Sequence, residues 1–310
     1  MNYIVSQPNG HERTGKSKHF CRDSEATVDE AQLMEEKRSL TRTTHNRRHL
    51  TVSEVELESA SMEIILPICA IVLVVLFVVA ALSAKVRNTV ISSRTYKKAF
   101  AVHMNLFSRI HNRAVQKRKE EMFNHMKMAL KGVQGDILEI GAGTGANFEF
   151  LPEGCSVIAL EPNPHMETYL VENAKRFPHV QLKEIVCGYA ENMEGIADNS
   201  VEAVLCTLTL CSVTDMEAVL SEIKRVLKPG GYFYFLEHVA DNPETWRHSF
   251  QRTFDDQWKY LSDGCSCCRE TSTYLENAGF SSVCYQKFYV NELMLIAYLM
   301  LPHIAGYAVK

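Results

Sequence analysis

The sequence predicts an α/β fold: a mostly parallel sheet of seven strands, helices on both of its faces, and a membrane helix ahead of it. Three observations predict this. From Gly135 onward, runs rich in β-branched residues alternate with amphipathic stretches, at the spacing of parallel strand–helix–strand units. A turn with glycines at alternate positions, Gly141, Gly143 and Gly145, follows the first of those runs. Upstream, "IILPICAIVLVVLFVVAAL", residues 64–82, carries no charge over nineteen positions.

Residues 1–61 are polar and charged, with few large apolar residues and no period. They are expected to be a disordered tail. The uncharged run starts too late for a secretory signal in its usual place. As a helix it would span about 28 Å, close to the thickness of a bilayer core. The membrane helix is placed at residues 62–84. Pro67 lies near one end, where it breaks little. Lys85, Arg87, Arg94, Lys97 and Lys98 follow the run, and Glu54, Glu56, Glu58 and Glu63 precede it. That basic excess puts the C-terminal side in the cytosol; a helix that dips in without crossing stays open, and in both cases the large domain is cytosolic.

Residues 85–132 are expected to form an amphipathic helical linker or lid, helical over 94–130. Phe100, Met104, Phe107, Ile110 and Ala114 recur at spacings of three and four. The expectation is packing on the domain, with membrane contact as an addition. Residues 133–310 form the main domain. Its strands are expected at Asp136–Ile140, Ser156–Glu161, "VQLKEIV", Val201–Leu208 and Tyr232–Val239, with "SVCYQKF" and "AGYAVK" as the last two. Helices are expected from about Ala146, over Met166–Arg176, over Asp215–Leu227 and through Trp246 and Trp258. The apolar stretch Tyr289–Ile304 reads as buried core or as part of a lipid-facing entrance.

Composition narrows the function. A net charge of −4 gives no general reason to expect nucleic acid. The ten cysteines are scattered through a long chain, which suits a reducing compartment. Cys206 and Cys211 fit no common zinc spacing, and no metal site is expected from them or from "CSCC" at 265–268.

The glycine turn sits where open parallel sheets bind ligands, beyond the carboxyl end of a strand. Glycines there allow a tight turn and close approach of a ligand, and the following helix N-terminus would favour a negative group. Glu161 ends the second strand, placed to accept hydrogen bonds from ribose hydroxyls. These features fit both NAD and S-adenosylmethionine; Gly141, Gly143 and Ala146 also satisfy the dinucleotide pattern. Glu139 separates the two. A carboxylate two residues before the first glycine would repel a diphosphate. It suits a cofactor that carries an ammonium and a sulfonium.

"ILEIGAGTGANF", "LEPNP" (160–164) and "LKPGGYFYFLEHV" (227–239) resemble, in order and spacing, the motifs of Rossmann-like class I S-adenosylmethionine-dependent methyltransferases. "GTGANFEFLPEGCSV", "CTLTLCSV", "EHVA", "DGCSCCRET" and "PHIAGYAVK" resemble the membrane-anchored methyltransferase-like seven family, over roughly 62–310. That resemblance implies S-methylation of small apolar alkyl thiols at the endoplasmic reticulum or lipid droplets, with membrane lipid as a partner. O-methylation of a lipid or quinone stays open. A non-catalytic scaffold is opposed by the intact Glu139, glycine turn and Glu161.

The resemblance also implies roles. Glu139 should hold the methionine ammonium, directly or through water, and the backbone of Gly141, Gly143 and Gly145 should follow the methionine and ribose. Glu161 should take the ribose hydroxyls, with Asn163 and Pro164 shaping the loop. Ala190, with Glu191 or Asn192, should meet the adenine, although Tyr189 stands where many relatives carry Asp. Thr207 and Leu208 should pass the methionine part. His238, at the end of the fifth strand, is a candidate base, and Asp263 a candidate pocket residue.

Overall fold

The computed structural model describes residues 4–6, 74–75, 89–133, 135–291 and 295–310. Eight strands are described: β1 (Ile4–Ser6), β2 (Asp136–Ile140), β3 (Cys155–Leu160), β4 (Val180–Val186), β5 (Val201–Thr207), β6 (Leu227–His238), β7 (Ser282–Tyr289) and β8 (Pro302–Val309). They form one sheet in the order β1-β7-β8-β6-β5-β2-β3-β4. β2 to β6 run parallel. β8 lies antiparallel between β6 and β7. The chain moves outward from β2 to β3 and β4, then returns to β5 on the other side of β2. The carboxyl ends of β2 and β5 therefore flank the switch point where such sheets bind ligands.

Beside the sheet the described residues include the helices α1 (Arg94–Ala129), α2 (Glu167–Arg176), α3 (Met216–Val226), α4 (Trp246–Leu261) and α5 (Thr271–Asn277). Side-chain oxygens start three of them. Ser93 accepts from the Tyr96 amide at 3.2 Å, Asp215 from Ala218 at 3.0 Å and Thr245 from His248 at 3.2 Å. Alternation along the strands then sorts the core into two layers. Ile137, Val157, Ala203, Leu205 and Tyr234 face Val115, Met122, Phe123 and Met126 of α1 and Leu170 of α2. Leu138, Ile158, Val204, Phe233 and Phe235 face Val219, Ile223 and Val226 of α3 and Leu275 of α5.

Three expectations change, and a fourth lies outside the described residues. The sheet has an eighth strand, β1, inside the tail expected to be disordered; its residues, "IVS", include two β-branched ones and pair antiparallel with β7. The rest of that tail lies outside the described residues. The expected membrane helix also lies there, apart from Val74 and Val75, which are helical and exposed. Among the described residues no helix is long and apolar enough to cross a membrane. The helix expected from Ala146 is a single 3-10 turn, Phe148–Phe150. Three successive glycines at positive φ precede it, and Pro152 and Gly154 follow it closely. The apolar stripe expected on α1 is only partly buried, and Ile110 is exposed. The N-terminal half of α1 walls a cavity instead of packing on the sheet.

Candidate cofactor and substrate cavity

A cavity of about 620 Å³ opens at the switch point. That is ample for a cofactor-sized ligand. The turn after β2 forms its floor. Gly141 and Gly143 both line it, in the left-handed region at φ of 61° and 54°. A side chain at Gly141 would place its Cβ 2.1 Å from the Thr209 hydroxyl oxygen, so this position has neither the conformation nor the room for one. Gly145 lies away from the cavity wall. A Cβ there would meet the Phe148 ring at 2.9 Å, so this glycine serves packing.

Glu161 follows β3 and borders the cavity. Each carboxylate oxygen accepts one backbone amide: Oε2 from Gly143 at 2.9 Å and Oε1 from Asn163 at 2.8 Å. These bonds lock the carboxylate's orientation and leave lone pairs for a diol. Burial pushes its pKa up, and the two amides oppose that. Asn163 itself is buried behind the wall. It accepts from the His165 amide and donates to the Lys97 carbonyl, tying this loop to α1.

Glu139 is 1% exposed and sits behind the wall. Asn147 stands between it and the cavity, donating from Nδ2 to Glu139 Oε1 at 2.6 Å and to Thr207 Oγ1 at 2.9 Å. Glu139 Oε2 is buried without a hydrogen-bond partner. Burial raises its pKa to about 7, against the pull of Asn147 and Lys119. Lys119 of α1 reaches this corner. Its Nζ donates to Asn112 Oδ1 at 2.6 Å and to Asn147 Oδ1. Burial brings its pKa down to about 8, while Glu139 and Glu149 pull it back up. The corner thus offers a cation, an amide and a carboxyl whose pKa burial raises, within one network, which suits a ligand group carrying both ammonium and carboxylate.

Ala190, Glu191, Thr207 and Leu208 all border the cavity. Glu191 accepts from the Thr214 amide and hydroxyl at 2.7 and 2.8 Å, so its carboxylate ties two loops together. Leu208 holds φ 55°, a strained value for a leucine, where the chain bends off β5 over the floor. Asp263 also borders the cavity, in an ion pair with Lys97 at 2.7 Å.

The histidine at the cavity wall is His111 of α1, not His238. His303 Nδ1 lies 3.0 Å from the Leu301 carbonyl, which can only accept, so that nitrogen carries the proton. His303 Nε2 is then an acceptor. It lies 3.2 Å from His111 Nε2, which donates to it. The lone pair of His111 is left on Nδ1. Burial, followed by the charges of His303 and Lys119, holds His111 well below the usual histidine pKa, so the ring is neutral. His238 ends β6 fully buried, with Nε2 2.9 Å from Cys265 Sγ, and does not border the cavity. Sequence reasoning missed His111, Asn112, Lys119 and Asn147. The available signal was polar residues at 111, 112 and 119 on the same helical face as apolar Val115 and Met122.

The methyltransferase domain family profile matches residues 138–235. Thiol S-methyltransferase TMT1A of Homo sapiens is 42% identical over 216 residues, covering 69% of this chain and 87% of that protein. Thiol S-methyltransferase TMT1B of Homo sapiens is 41% identical over 217 residues, covering 69% and 87%. Demethylmenaquinone methyltransferase of Chlorobaculum parvum is 33% identical over 125 residues, covering 38% and 48%.

Proposed function

Because the chain belongs to the thiol S-methyltransferase family, within the class I S-adenosylmethionine-dependent methyltransferases, we propose that it methylates small apolar thiols taken up from a membrane. S-adenosylmethionine is the methyl donor. The observation that carries the apolar part of the proposal is the cavity's mixed lining. Glu161, Gly143, Asn147 and Lys119 supply a polar part, and Phe100, Met104 and Phe107 of α1 add apolar surface to the same cavity.

The polar part fits the donor group by group. Glu161 is oriented for the ribose diol, Lys119 for the methionine carboxylate, and the Asn147–Glu139 pair for the ammonium, with Glu139 Oε2 still unsatisfied. Bound there, S-adenosylmethionine supplies a methyl on a positively charged sulfur, already activated for displacement. The residues of α1 exclude water from the acceptor side and align the thiol for in-line attack. A free thiol is only a few per cent ionised near neutral pH. His111 borders the cavity. Its Nδ1, left as the lone-pair nitrogen by His303, receives the thiol proton as the new carbon–sulfur bond forms and the methyl–sulfonium bond breaks, leaving its electron pair on the donor sulfur.

Two observations support a membrane setting. On α1, Val102, Leu106 and Ile110 repeat at four-residue spacing and are exposed, with Lys98 exposed one turn earlier. On α4, Trp246, Phe250 and Phe254 repeat likewise. With the uncharged run at 64–82, they suit an anchored enzyme whose domain faces the cytosol, on the endoplasmic reticulum or a lipid droplet. In microsomes carrying the full chain, alkaline carbonate should leave the protein in the pellet. Its kcat/KM should rise along a series of lengthening alkyl thiols. Release into the supernatant, or a preference for short hydrophilic thiols, would refute this setting.

The donor's affinity should depend on pH through Glu139. Its carboxyl titrates at about 7 in the free protein. An ammonium beside Asn147 favours the carboxylate, so binding below that pH releases a proton. Affinity should therefore rise as pH goes from about 5.5 to about 7. Calorimetry in two buffers of different ionisation heat reads the release directly. Equal heats in both buffers at the lower pH, with an unchanged Kd, would contradict the role given to Glu139.

A further inference from the structure

We propose that Cys211, His238 and Cys265 form a binding site for a soft divalent cation of the zinc class. The site lies outside the cavity lining and does not rest on the methyl-transfer reading. Cys211 lies in the loop after β5, His238 closes β6, and Cys265 lies in the loop after α4. One ligand atom from each lies within 4.8 Å of the others. Two thiolates and an imidazole at tetrahedral angles around zinc stand roughly 3.5–4 Å apart, given the usual zinc–sulfur and zinc–nitrogen lengths. The separations here, from 2.9 Å for His238 Nε2–Cys265 Sγ to at most 4.8 Å, bracket that arrangement.

Three further features fit. The site is built on fixed backbone, because the Ser266 amide donates to the Cys211 carbonyl at 2.8 Å and so joins the two cysteine loops. Trp258 Nε1 donates to Cys265 Sγ at 3.4 Å, an outer contact that stabilises a thiolate. His238 Nε2 lies 2.9 Å from the Cys265 sulfur, so the imidazole already faces the cluster. A dication with two thiolates and a neutral imidazole carries no net charge, so the assembled unit tolerates burial. No fourth protein donor joins the group among the described residues, which leaves one position for a small exogenous donor, as in open zinc sites. The sequence hid this cluster because each ligand comes from a different connection or strand end.

The test uses the full chain, purified in detergent under reducing conditions without chelator. It should carry about one zinc per chain by elemental analysis. Replacing the zinc with cobalt should give a thiolate-to-cobalt charge-transfer band. Cys265→Ser and Cys211→Ser should lose both signals, and Cys155→Ser, in β3, should keep them. Circular dichroism checks that each variant is folded; where one is not, the cobalt spectrum of the unaltered chain decides. A cobalt titration without the band would overturn the proposal. So would metal retained in the folded double variant, or a Cys211–Cys265 disulfide in the purified chain.

Discussion

Glu161→Ala is expected to abolish measurable methyl transfer while the protein still accumulates in the membrane fraction. The side chain does two jobs. It fixes the amides of Gly143 and Asn163, and it presents its remaining lone pairs to the ribose. Hydrogen bonds to a charged group contribute about 1.5–3 kcal/mol each. Losing the diol contacts and the turn's anchor should weaken S-adenosylmethionine binding by at least ~10²-fold, about 3 kcal/mol. Glu161→Gln should fall between the two, because its NH2 would oppose the Gly143 N–H or leave it unpaired. Glu161→Asp should retain much of the binding. Calorimetry with S-adenosylmethionine measures all three. An alanine variant that binds with unaltered Kd would remove Glu161 from the cofactor site.

His111→Phe is the second large effect. Phenylalanine keeps the ring against Phe107 and fills the space but cannot take a proton. The kcat for an alkyl thiol should fall about 10²-fold, within the range for general-base catalysis. The Kd for S-adenosylmethionine should stay within a factor of two or so, because the polar part of the cavity is untouched. His303→Gln should give a smaller fall, since it disturbs the tautomer without removing the base. A pre-ionised substrate provides the control. An aromatic thiol of low pKa should be methylated by His111→Phe with little loss. Equal losses for both thiols would assign His111 a packing role only.

The sheet was legible because burial on both faces leaves a strong mark. "DILEI", "VEAVLCT" and "YFYFLEH" are nearly continuous apolar runs, and each lies inside the sheet with a strand paired on both sides. The cofactor loop was legible for a different reason: its glycines and Glu161 act through backbone geometry close in sequence. The donor corner was not. Lys119 meets Asn147 across 28 positions, and the helix that carries it looked like an anchor's linker. A helical pattern shows which face is apolar; it does not show that a lysine on that face will meet an asparagine of the glycine turn beside a buried carboxyl. Glu139 is expected from the sequence to hold the ammonium directly or through water, which leaves its depth open. The structure sets it one residue deeper, with Asn147 in front, because β2 points that side chain into the domain. His238 was singled out for its place at a strand end. The antiparallel return of β8 and the loop of Cys265 cover that end, and His111 occupies the cavity wall instead.

The central claim is methyl transfer from S-adenosylmethionine to sulfur. Microsomes carrying the full chain are given methyl-labelled S-adenosylmethionine with an alkyl thiol, its alcohol analogue, a phenol or a quinol. The claim predicts label in the alkyl methyl thioether, dependent on Glu161, with the matched alcohol blank. Label confined to the oxygen acceptors, or label in the thioether that persists in Glu161→Ala, would contradict it.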